Sequence, residues 1–333
     1  MAFRPRVAID LGTVNTLVAV NGRGVVVDEP SAVAIDRATG RVAAVGLPAE
    51  ALAGKEPEDV EVIAPLRHGV VADIDATAVM LHTFLRRAKV RQLLARPHVL
   101  VCVPAGATWV ERQSVPAALR TRGRGCVVTL LDEPVAAAAG AGVNLSSGEG
   151  AFVMNVGGGR TEVAVVSGGR VARTQSLRLG GNDMDEAIVH AAKSELGLLL
   201  GIKAARRLKM TLGLTGGEAG YAEVVGVDAG SRTPRVENIQ GKLVATALEP
   251  AITAIIDAMH EMQSDLPPDL AEDVVRGKIR LAGGGALLPG LAERIEASAG
   301  IPTAVADDPL RCAIRGAVEI LEHGGGPVTE KVA

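Results

Sequence analysis

The chain has 333 residues, enough for two domains of ordinary size, and 48% of them are hydrophobic, so sizeable apolar cores can form. Only 2% are aromatic, which leaves Val, Leu, Ile and Ala to build those cores. A formal charge of −3 gives no overall attraction to nucleic acid, no signal peptide is predicted, and no apolar run reaches the roughly 18 residues of a membrane span. The three cysteines, Cys102, Cys126 and Cys312, lie far apart without metal-binding spacing, which indicates free thiols in a reducing cytosol.

In chain order, strands alternate with helices. The stretch VAIDLGTVNTLVAVNGRGVVV, which begins at Val7, predicts a strand, a Gly-rich turn, a second strand, a hairpin turn and a third strand. A helical pattern, a short apolar strand (PHVLVCVPAG), a second helix (TWVERQSVPAALRTRG) and a strand leading into an Ala-rich helix (CVVTLLDEPVAAAAGAGV) follow. This alternation predicts α/β layers with a partly parallel sheet.

The second half repeats the beginning of the first. FVMNVGGGRTEVAVVSGGRVA, from Phe152, again predicts strand, Gly-rich turn, strand, hairpin and strand, and helices and a strand, glycine turn and helix (KIRLAGGGALLPGLAERIEAS) come after it. We therefore expect two similar halves that face each other, each offering one Gly-rich turn to a shared cleft. The alignment sets Asp10 opposite Asn155, Gly12 opposite Gly157, and Thr16 opposite Thr161.

Glycine turns of this kind suit a phosphate. Glycine permits positive φ and close backbone approach, and successive N–H groups form a concave anion nest. Two facing nests would hold a polyphosphate from both sides. The alternative is that both are ordinary tight hairpins, which glycine serves equally well, but two matched turns after apolar strands favour the nucleotide site.

Several segments resemble the MreB family of bacterial actin homologues. They include AIDLGTVNTLVAV, LDEPVAAAAGAG, GGGRTEVAVVSGGRV, RLGGNDMDEAI and LAGGGALLPGL, in the family's order and spacing, and the likeness extends from Val7 to Glu322. The resemblance implies an α/β protein with the actin-like (ribonuclease H-like, duplicated) fold, in which two lobes surround a cleft for ATP and Mg²⁺.

The resemblance also implies domain boundaries. Lobe I is expected to comprise residues 1–145 with 310–325 and to carry a small insert at 32–65. Lobe II is expected to comprise residues 146–309 with an insert at 182–243. Residues 324–333 are expected to form a flexible tail.

Functional residues carry over by position. Glu133 is expected to position or activate the attacking water, although an acid before Pro134 also suits a helix N-terminus for the dipole alone. Asp10 is expected to orient magnesium-bound water. The remaining expected nucleotide contacts are Gly12, Thr13 and Asn15 in the first turn, Gly157, Gly158 and Gly159 in the second turn, Lys209 beside the nucleoside, and Gly283, Gly284 and Gly285 under the adenine.

Three expected nucleotide-site positions depart from the family pattern. The family usually has Asp, Thr and Glu where this chain has Asn155, Arg160 and Arg206. The first two changes add two positive charges, the charge of one magnesium ion, which predicts that Arg160 partly replaces the metal, lowers the dependence on Mg²⁺ and holds a triphosphate that is hydrolysed slowly or not at all. Arg206 offers only donors to the ribose, so either nucleoside affinity falls or Arg206 turns aside to pair with an acid. A local misalignment at Arg206, and a cleft that binds no nucleotide, remain alternatives.

The family lies as filaments on the inner face of the cell membrane, and the segment KVRQLLARP is the candidate anchor here. Val90, Leu93 and Leu94 are apolar among Lys89, Arg91 and Arg96, a pattern that suits an anionic membrane surface. The alternative is that these residues finish a helix and face the core.

The sequence therefore predicts a filament-forming, ATP-binding cytoskeletal protein for cell shape and wall growth, with impaired ATPase chemistry. Its expected partners are copies of itself, the inner membrane surface and cell-elongation membrane proteins, and no nucleic acid. Three alternatives stay open: an acetate- or sugar-kinase-like enzyme, the ATPase part of a heat-shock chaperone, which would need a further substrate-binding domain, and a non-polymerising nucleotide-dependent regulator.

Overall fold

A computed structural model of the protein describes residues 6–90, 96–121, 126–217, 219–323 and 330–332. The strands are β1 (Arg6–Leu11), β2 (Asn15–Val20), β3 (Gly24–Pro30), β4 (Val33–Asp36), β5 (Val42–Val45), β6 (Val60–Ile63), β7 (Leu66–Arg67), β8 (Val70–Val71), β9 (His98–Val103), β10 (Val127–Asp132), β11 (Ala151–Val156), β12 (Thr161–Ser167), β13 (Arg170–Leu177), β14 (Leu198–Leu199), β15 (Tyr221–Asp228), β16 (Pro234–Gln240), β17 (Ile279–Ala282), β18 (Thr303–Val305) and β19 (Glu330–Val332). The helices are α1 (Leu47–Leu52), α2 (Ile74–Arg87), α3 (Trp109–Thr121), α4 (Glu133–Gly140), α5 (Gly181–Leu196), α6 (Ile202–Leu212), α7 (Gly241–Ser264), α8 (Pro268–Arg276), α9 (Leu291–Ala299) and α10 (Cys312–His323).

Two large mixed sheets have the same topology. The first has the strand order β19-β10-β9-β1-β2-β3 and the second β13-β12-β11-β17-β18. In each, an antiparallel meander (β1-β2-β3 or β11-β12-β13) continues into two parallel strands (β9 and β10, or β17 and β18). The internal repeat predicted from the sequence is therefore present as two copies of one sheet.

Three smaller sheets flank the large ones. Antiparallel β5-β4-β6 lies within residues 32–65, and β14-β15-β16 lies within residues 182–243, the two ranges expected to be inserts. The short pair β7-β8 brings residues 68 and 69 into the turn between its strands. That turn reaches the opposite lobe, where His68 bonds Gly159 and Arg160.

Local signals begin and end the helices. The side chain of Asp73 accepts the N–H of Ala76 at the start of α2, and Arg86 and Arg87 stand in its last turn, where positive charge suits the helix dipole. At α5, Asp183 accepts the N–H of Gly180, and left-handed Gly197 ends the helix.

Helix α7 is the one helix among the described residues that is long and apolar enough to cross a membrane by length and composition. Val244, Leu248, Ile252 and Ile255 on one of its faces are fully buried in the apolar core of the second half. This burial identifies α7 as a core helix.

Helices α4 and α10 pack between the two large sheets. A single apolar cluster contains side chains from both helices together with Ala8 of β1, Val153 of β11 and Ala282 of β17. The two helices approach closely because glycine stands at the contact: a Cβ on Gly316 would overlap the carbonyl oxygen of Ala136, and one on Gly140 would overlap that of Cys312. The sheets therefore share a core.

Two predicted segments fall partly outside the described residues. Val90 is half-buried and packs against the apolar core of the first half, whereas Leu93 and Leu94 lie outside the described residues. In the segment 324–333, expected to be a flexible tail, Glu330–Val332 form β19, which pairs antiparallel with β10, and the rest lies outside the described residues.

We expect Gly316→Ala to destabilise the protein by about 1–3 kcal/mol, because the added methyl group forces α4 and α10 apart in a close-packed core. Chemical denaturation monitored by circular dichroism measures this. Gly148→Ala is the matched control, because nothing lies within 4 Å of the Cβ position at Gly148. Equal stability of the two variants would contradict this account of the interface.

Candidate nucleotide site

Two equivalent turns meet at the ends of β1 and β11. The N–H of Gly12 donates to the carbonyl of Asn15 at 3.1 Å, and the N–H of Gly157 donates to the carbonyl of Arg160 at 2.8 Å. Each turn is therefore closed by an equivalent hydrogen bond. The predicted turns thus face each other and touch. A Cβ on Gly159 would lie 2.7 Å from Thr13 Oγ1.

Backbone donors remain free on both turns. Among the described residues, no protein acceptor takes the amide hydrogens of Thr13, Val14, Gly158 and Gly159. Unpaired N–H groups on glycine-rich turns are the groups that bind phosphate oxygens. The arrangement is therefore chemically suited to an anion held between the turns.

Asn155 contacts Glu133 directly. The Asn155 amide Nδ2 donates to Glu133 Oε1 at 2.6 Å, and the Asn155 side chain is 6% exposed. Glu133 is the first residue of α4, directly after β10, so its placement also suits the helix dipole. The Asn155 amide therefore holds one carboxylate oxygen of Glu133 in place.

Burial disfavours the ionised form of the acids at the end of β1 and the start of α4. Burial first and the charge of Asp10 second raise the pKa of Glu133 to about 7, although the Asn155 hydrogen bond and the cation of Arg160 act in the opposite direction. The pKa of Asp10 is raised to about 6, by burial first and by the charge of Asp28 second. Both acids would gain from a nearby cation.

Arg160 is turned toward lobe I and β13. Its Nε donates to the carbonyl of His68 at 2.6 Å and its Nη1 donates to Ser176 Oγ at 3.0 Å. Nη2 is buried and has no protein partner among the described residues. One nitrogen of the guanidinium therefore has no protein acceptor among the described residues, and the other two bond protein groups.

Glu162 is a site residue that the sequence analysis missed. It is opposite Asn155 in the β11–β12 ladder, is 1% exposed, and accepts the N–H of Gly106 at 3.2 Å and the hydroxyl of Ser176 at 3.3 Å. Burial and the charge of Glu133 raise its pKa to about 7. The available signal was a lone carboxylate in the apolar run VAVV, since a charge in a buried strand points to function.

Arg206 pairs with an acid, the second of the two outcomes considered for it. Its Nε lies 3.0 Å from Asp185 Oδ2, and Lys209 Nζ lies 2.6 Å from Asp185 Oδ1. Asp185 is fully buried in α5, and burial lowers the pKa of Lys209. Lys209 also donates to the carbonyl of Gly181 at 2.5 Å, so both cations belong to the start of α5, whose N–H groups at Gly181 and Asn182 bond the turn carbonyls of Gly157 and Gly158.

The predicted adenine-side glycines and Asn15 lie at the edge of the two turns. Gly283 has φ 81° and its Cβ position would meet Asn155 Oδ1 at 2.7 Å, so the glycine bend after β17 packs on the end of β11. Gly284 and Gly285 continue into a 3₁₀ turn, Gly284–Leu287. The Asn15 amide donates to Asp28 Oδ1 at 3.4 Å and thus lies beside Asp10's acidic neighbour.

The donor set suits a hydrated magnesium ion better than a directly ligated one. Among the described residues, no group of three or more His, Cys, Asp or Glu side chains is arranged to hold a metal. Mg²⁺ keeps several waters and binds through one or two carboxylates plus phosphates. Asp10 and Glu133, whose pKa values are raised by burial and whose charges repel each other, would hold such waters.

The chain is similar to known proteins over nearly its whole length. A family model described as MreB/Mbl protein matches residues 4–326. The cell shape-determining protein MreB of Escherichia coli K12 is 39% identical over 340 residues, covering 99% of this chain and 98% of its own, and Mbl of Bacillus subtilis is 34% identical over 323 residues, covering 96% and 97%.

Solved structures show the same fold. MreB5 of Spiroplasma citri bound to AMPPNP superposes with a TM-score of 0.91 at 31% identity, covering 97% of each chain. A MamK double helical filament gives a TM-score of 0.82 at 19% identity, covering 96% of this chain and 99% of that one, which shows the shared actin-like fold.

We expect the ligand-free protein to lose stability as the pH rises from about 5 to 8. A carboxyl whose pKa is raised by folding stabilises the folded state below its unfolded pKa, near 4.5, and this stabilisation is lost as the pH passes about 7, the folded pKa of Glu162. The change is up to about 3 kcal/mol for one such carboxylate. Melting temperatures measured across this pH range test it.

Glu162→Gln keeps an acceptor oxygen for Gly106 but cannot ionise, so we expect a flatter pH profile than for the unsubstituted protein. Glu186→Gln, at an exposed position of α5, is the matched control and should leave the profile unchanged. If the melting temperature of Glu162→Gln falls with pH as steeply as that of Glu186→Gln, then Glu162 is not the group that causes the loss of stability.

Proposed function

The chain belongs to the MreB/Mbl family, and we propose that it is an actin-like cytoskeletal protein whose filaments determine cell shape, direct wall synthesis and bind ATP between the two glycine turns. The observation that carries ATP binding is the set of free amides at Thr13, Val14, Gly158 and Gly159 on turns that meet from opposite sheets. The MreB5 structures bound to AMPPNP and to ADP support a nucleotide as the ligand of such turns.

We infer that hydrolysis is weakened rather than lost. Glu133 is suited to accept a proton from water at neutral pH, because its pKa is about 7 and one of its oxygens is fixed by Asn155. The deficit lies in the metal charge, since Asn155 is neutral and its amide nitrogen is committed to Glu133. Weaker support of the metal by one group typically costs 10–100-fold in metal affinity or activity.

Arg160 supports the same inference. Its buried, unpartnered Nη2 is a permanent cationic donor beside the second turn, and a guanidinium is a strong ligand for phosphate. A triphosphate held by Arg160 and the free amides would depend less on Mg²⁺ than one held by carboxylate-bound metal.

Isothermal titration with ATP tests this. We expect the unsubstituted protein to bind ATP with less than about a tenfold loss when EDTA replaces Mg²⁺. Asn155→Asp should raise Mg²⁺-dependent phosphate release by roughly 10–100-fold and should lose binding by a similar factor in EDTA. The reason is that the new carboxylate attracts the metal but repels Glu133 when metal is absent.

Glu133→Ala is the control for chemistry: it should still bind ATP and should release no phosphate. Collapse of binding by the unsubstituted protein in EDTA would contradict the role of Arg160. Absence of binding under both conditions would contradict the nucleotide site itself, and ATP binding without filaments in electron microscopy would favour a non-polymerising regulator.

We also propose that the filaments lie on the inner face of the cell membrane, beside cell-elongation membrane proteins. The support is the sequence KVRQLLARP, which sets Leu93 and Leu94 among basic residues after α2. Val90 is half-buried against the core of lobe I and therefore offers the membrane less apolar surface.

Changing Leu93 and Leu94 to Ser should release the protein from anionic liposomes, because the apolar contact with the acyl region is lost while the basic residues remain. Co-sedimentation measures this, with Val90→Ala as a control that should pellet like the unsubstituted protein. Undiminished pelleting of the double Ser variant would count against this anchor.

A further inference from the structure

The two lobes are joined beside the glycine turns by hydrogen bonds that need no ligand. Arg160 Nε of lobe II donates to the carbonyl of His68 in lobe I at 2.6 Å, and His68 Nδ1 donates back to the carbonyl of Gly159 at 3.0 Å. The first bond is strengthened by the guanidinium charge. This reciprocal pair ties the second glycine turn to the opposite lobe.

A second connection runs through Glu162. Arg160 Nη1 donates to Ser176 Oγ at 3.0 Å, and the hydroxyl donates to Glu162 Oε1 at 3.3 Å. The same oxygen accepts the N–H of Gly106 in lobe I at 3.2 Å. Arg160 and Glu162 are 6% and 1% exposed, so water competes little for these bonds.

The loop that meets Arg160 has a strained shape that its contacts retain. His68 has φ 50°, a left-handed conformation that is costly for a residue with a side chain. Gly69, with φ 76°, donates its N–H to Thr13 Oγ1 at 2.7 Å, which fixes the loop against the first glycine turn. The strained residue is thus the one whose ring and carbonyl both bond lobe II, so these contacts help to retain its conformation.

Two further polar contacts between the lobes, outside the shared apolar core and the Asn155–Glu133 bond, are more exposed. Arg178 Nη2 lies 2.9 Å from Glu111 Oε1, and Lys203 Nζ donates to the carbonyl of Glu50 at 3.0 Å. The Arg178 side chain is 63% exposed, so its ion pair is screened by water and salt. Of these polar contacts, the buried ones around Arg160 therefore resist opening of the lobes more than the exposed ones do.

We propose that an interlobe latch, formed by His68, Gly106, Gly159, Arg160, Glu162 and Ser176, holds the lobes closed without nucleotide. A ligand shifts an equilibrium only by its differential affinity for the two states, so ATP has little left to shift in a chain that is already closed. For assembly the inference rests on the proposed function: the filament-forming conformation exists before ATP binds, and assembly depends on protein concentration more than on nucleotide.

Pulsed electron–electron resonance on the full chain tests the latch. Spin labels at Glu58→Cys, in the loop before β6, and Arg207→Cys, on α6, occupy exposed positions in a Cys126→Ser background. They report the distance between residues 32–65 of lobe I and residues 182–243 of lobe II. Arg160→Met keeps an unbranched apolar side chain that reaches about as far as the arginine Nε, but it removes every donor. Arg178→Met is the matched control, because it removes only the exposed ion pair.

We expect a single narrow distance distribution for the nucleotide-free protein that ATP leaves unchanged, and the same for Arg178→Met. Arg160→Met should give a longer and broader distribution. In sedimentation assays, Mg²⁺-ATP at a concentration that titration shows to saturate each protein should lower the critical concentration by less than about twofold for the unsubstituted protein and by tenfold or more for Arg160→Met. The reason is that only the unlatched chain needs a ligand to close.

A broad, ATP-sensitive distribution for the unsubstituted protein would overturn the latch, and so would an Arg160→Met distribution identical to that of Arg178→Met. If Arg160→Met does not fold, as judged by circular dichroism, His68→Gly replaces it, since glycine tolerates the left-handed backbone and lacks the ring donor. Failure of the nucleotide proposal alone gives a different result. Titration would then show no ATP binding, while the distance distribution would still be narrow for the unsubstituted protein and broad for Arg160→Met.

Discussion

The close packing of α4 against α10, between the two large sheets, is the constraint on which the rest of the structure depends. Both helices belong to a single apolar cluster that also contains side chains of β1, β11 and β17. Glycine at 140 and 316 lets their backbones touch, and alanine makes up half of α4. Because this core fixes the sheets to each other, the ends of β1 and β11 converge, and the turns that follow them must meet.

That convergence creates a polar region in which charge is incompletely balanced. Asp10, Glu133 and Glu162 are acids whose pKa values are raised mainly by burial, and Arg160 is the cation set among them. Arg160 Nη2 and Glu162 Oε2 have no partner among the described residues. A fold stabilised only by apolar burial would have no use for such groups, and proteins tolerate them at functional sites.

Arg160 links the two properties proposed for this protein. Its position at the second turn gives a phosphate a permanent cation, and its bonds to His68 and Ser176 connect the lobes whether or not a phosphate is present. A residue that both closes the cleft and lines it reduces the conformational difference between the nucleotide-free and nucleotide-bound protein. Such a protein would respond to nucleotide less sharply than one closed by the metal–phosphate group alone.

The sequence by itself determined the architecture and the place of the site. The matched pattern from Val7 and from Phe152 predicted two copies of one sheet, and the Gly-rich runs predicted the turns at Gly12, Gly157 and Gly283, because periodicity and glycine content are local properties of a chain. They did not reveal the hairpin of β15 and β16, which the sequence presents only as a Gly- and charge-rich stretch.

Only the tertiary structure decided what the polar side chains contact. Arg160 meets His68, 92 positions away; Asn155 meets Glu133, 22 positions away; and Arg206 turns to Asp185 on a neighbouring helix. Hydrogen bonds and ion pairs depend on distance and direction in space, which the packing of α4 and α10 sets and which no local pattern encodes.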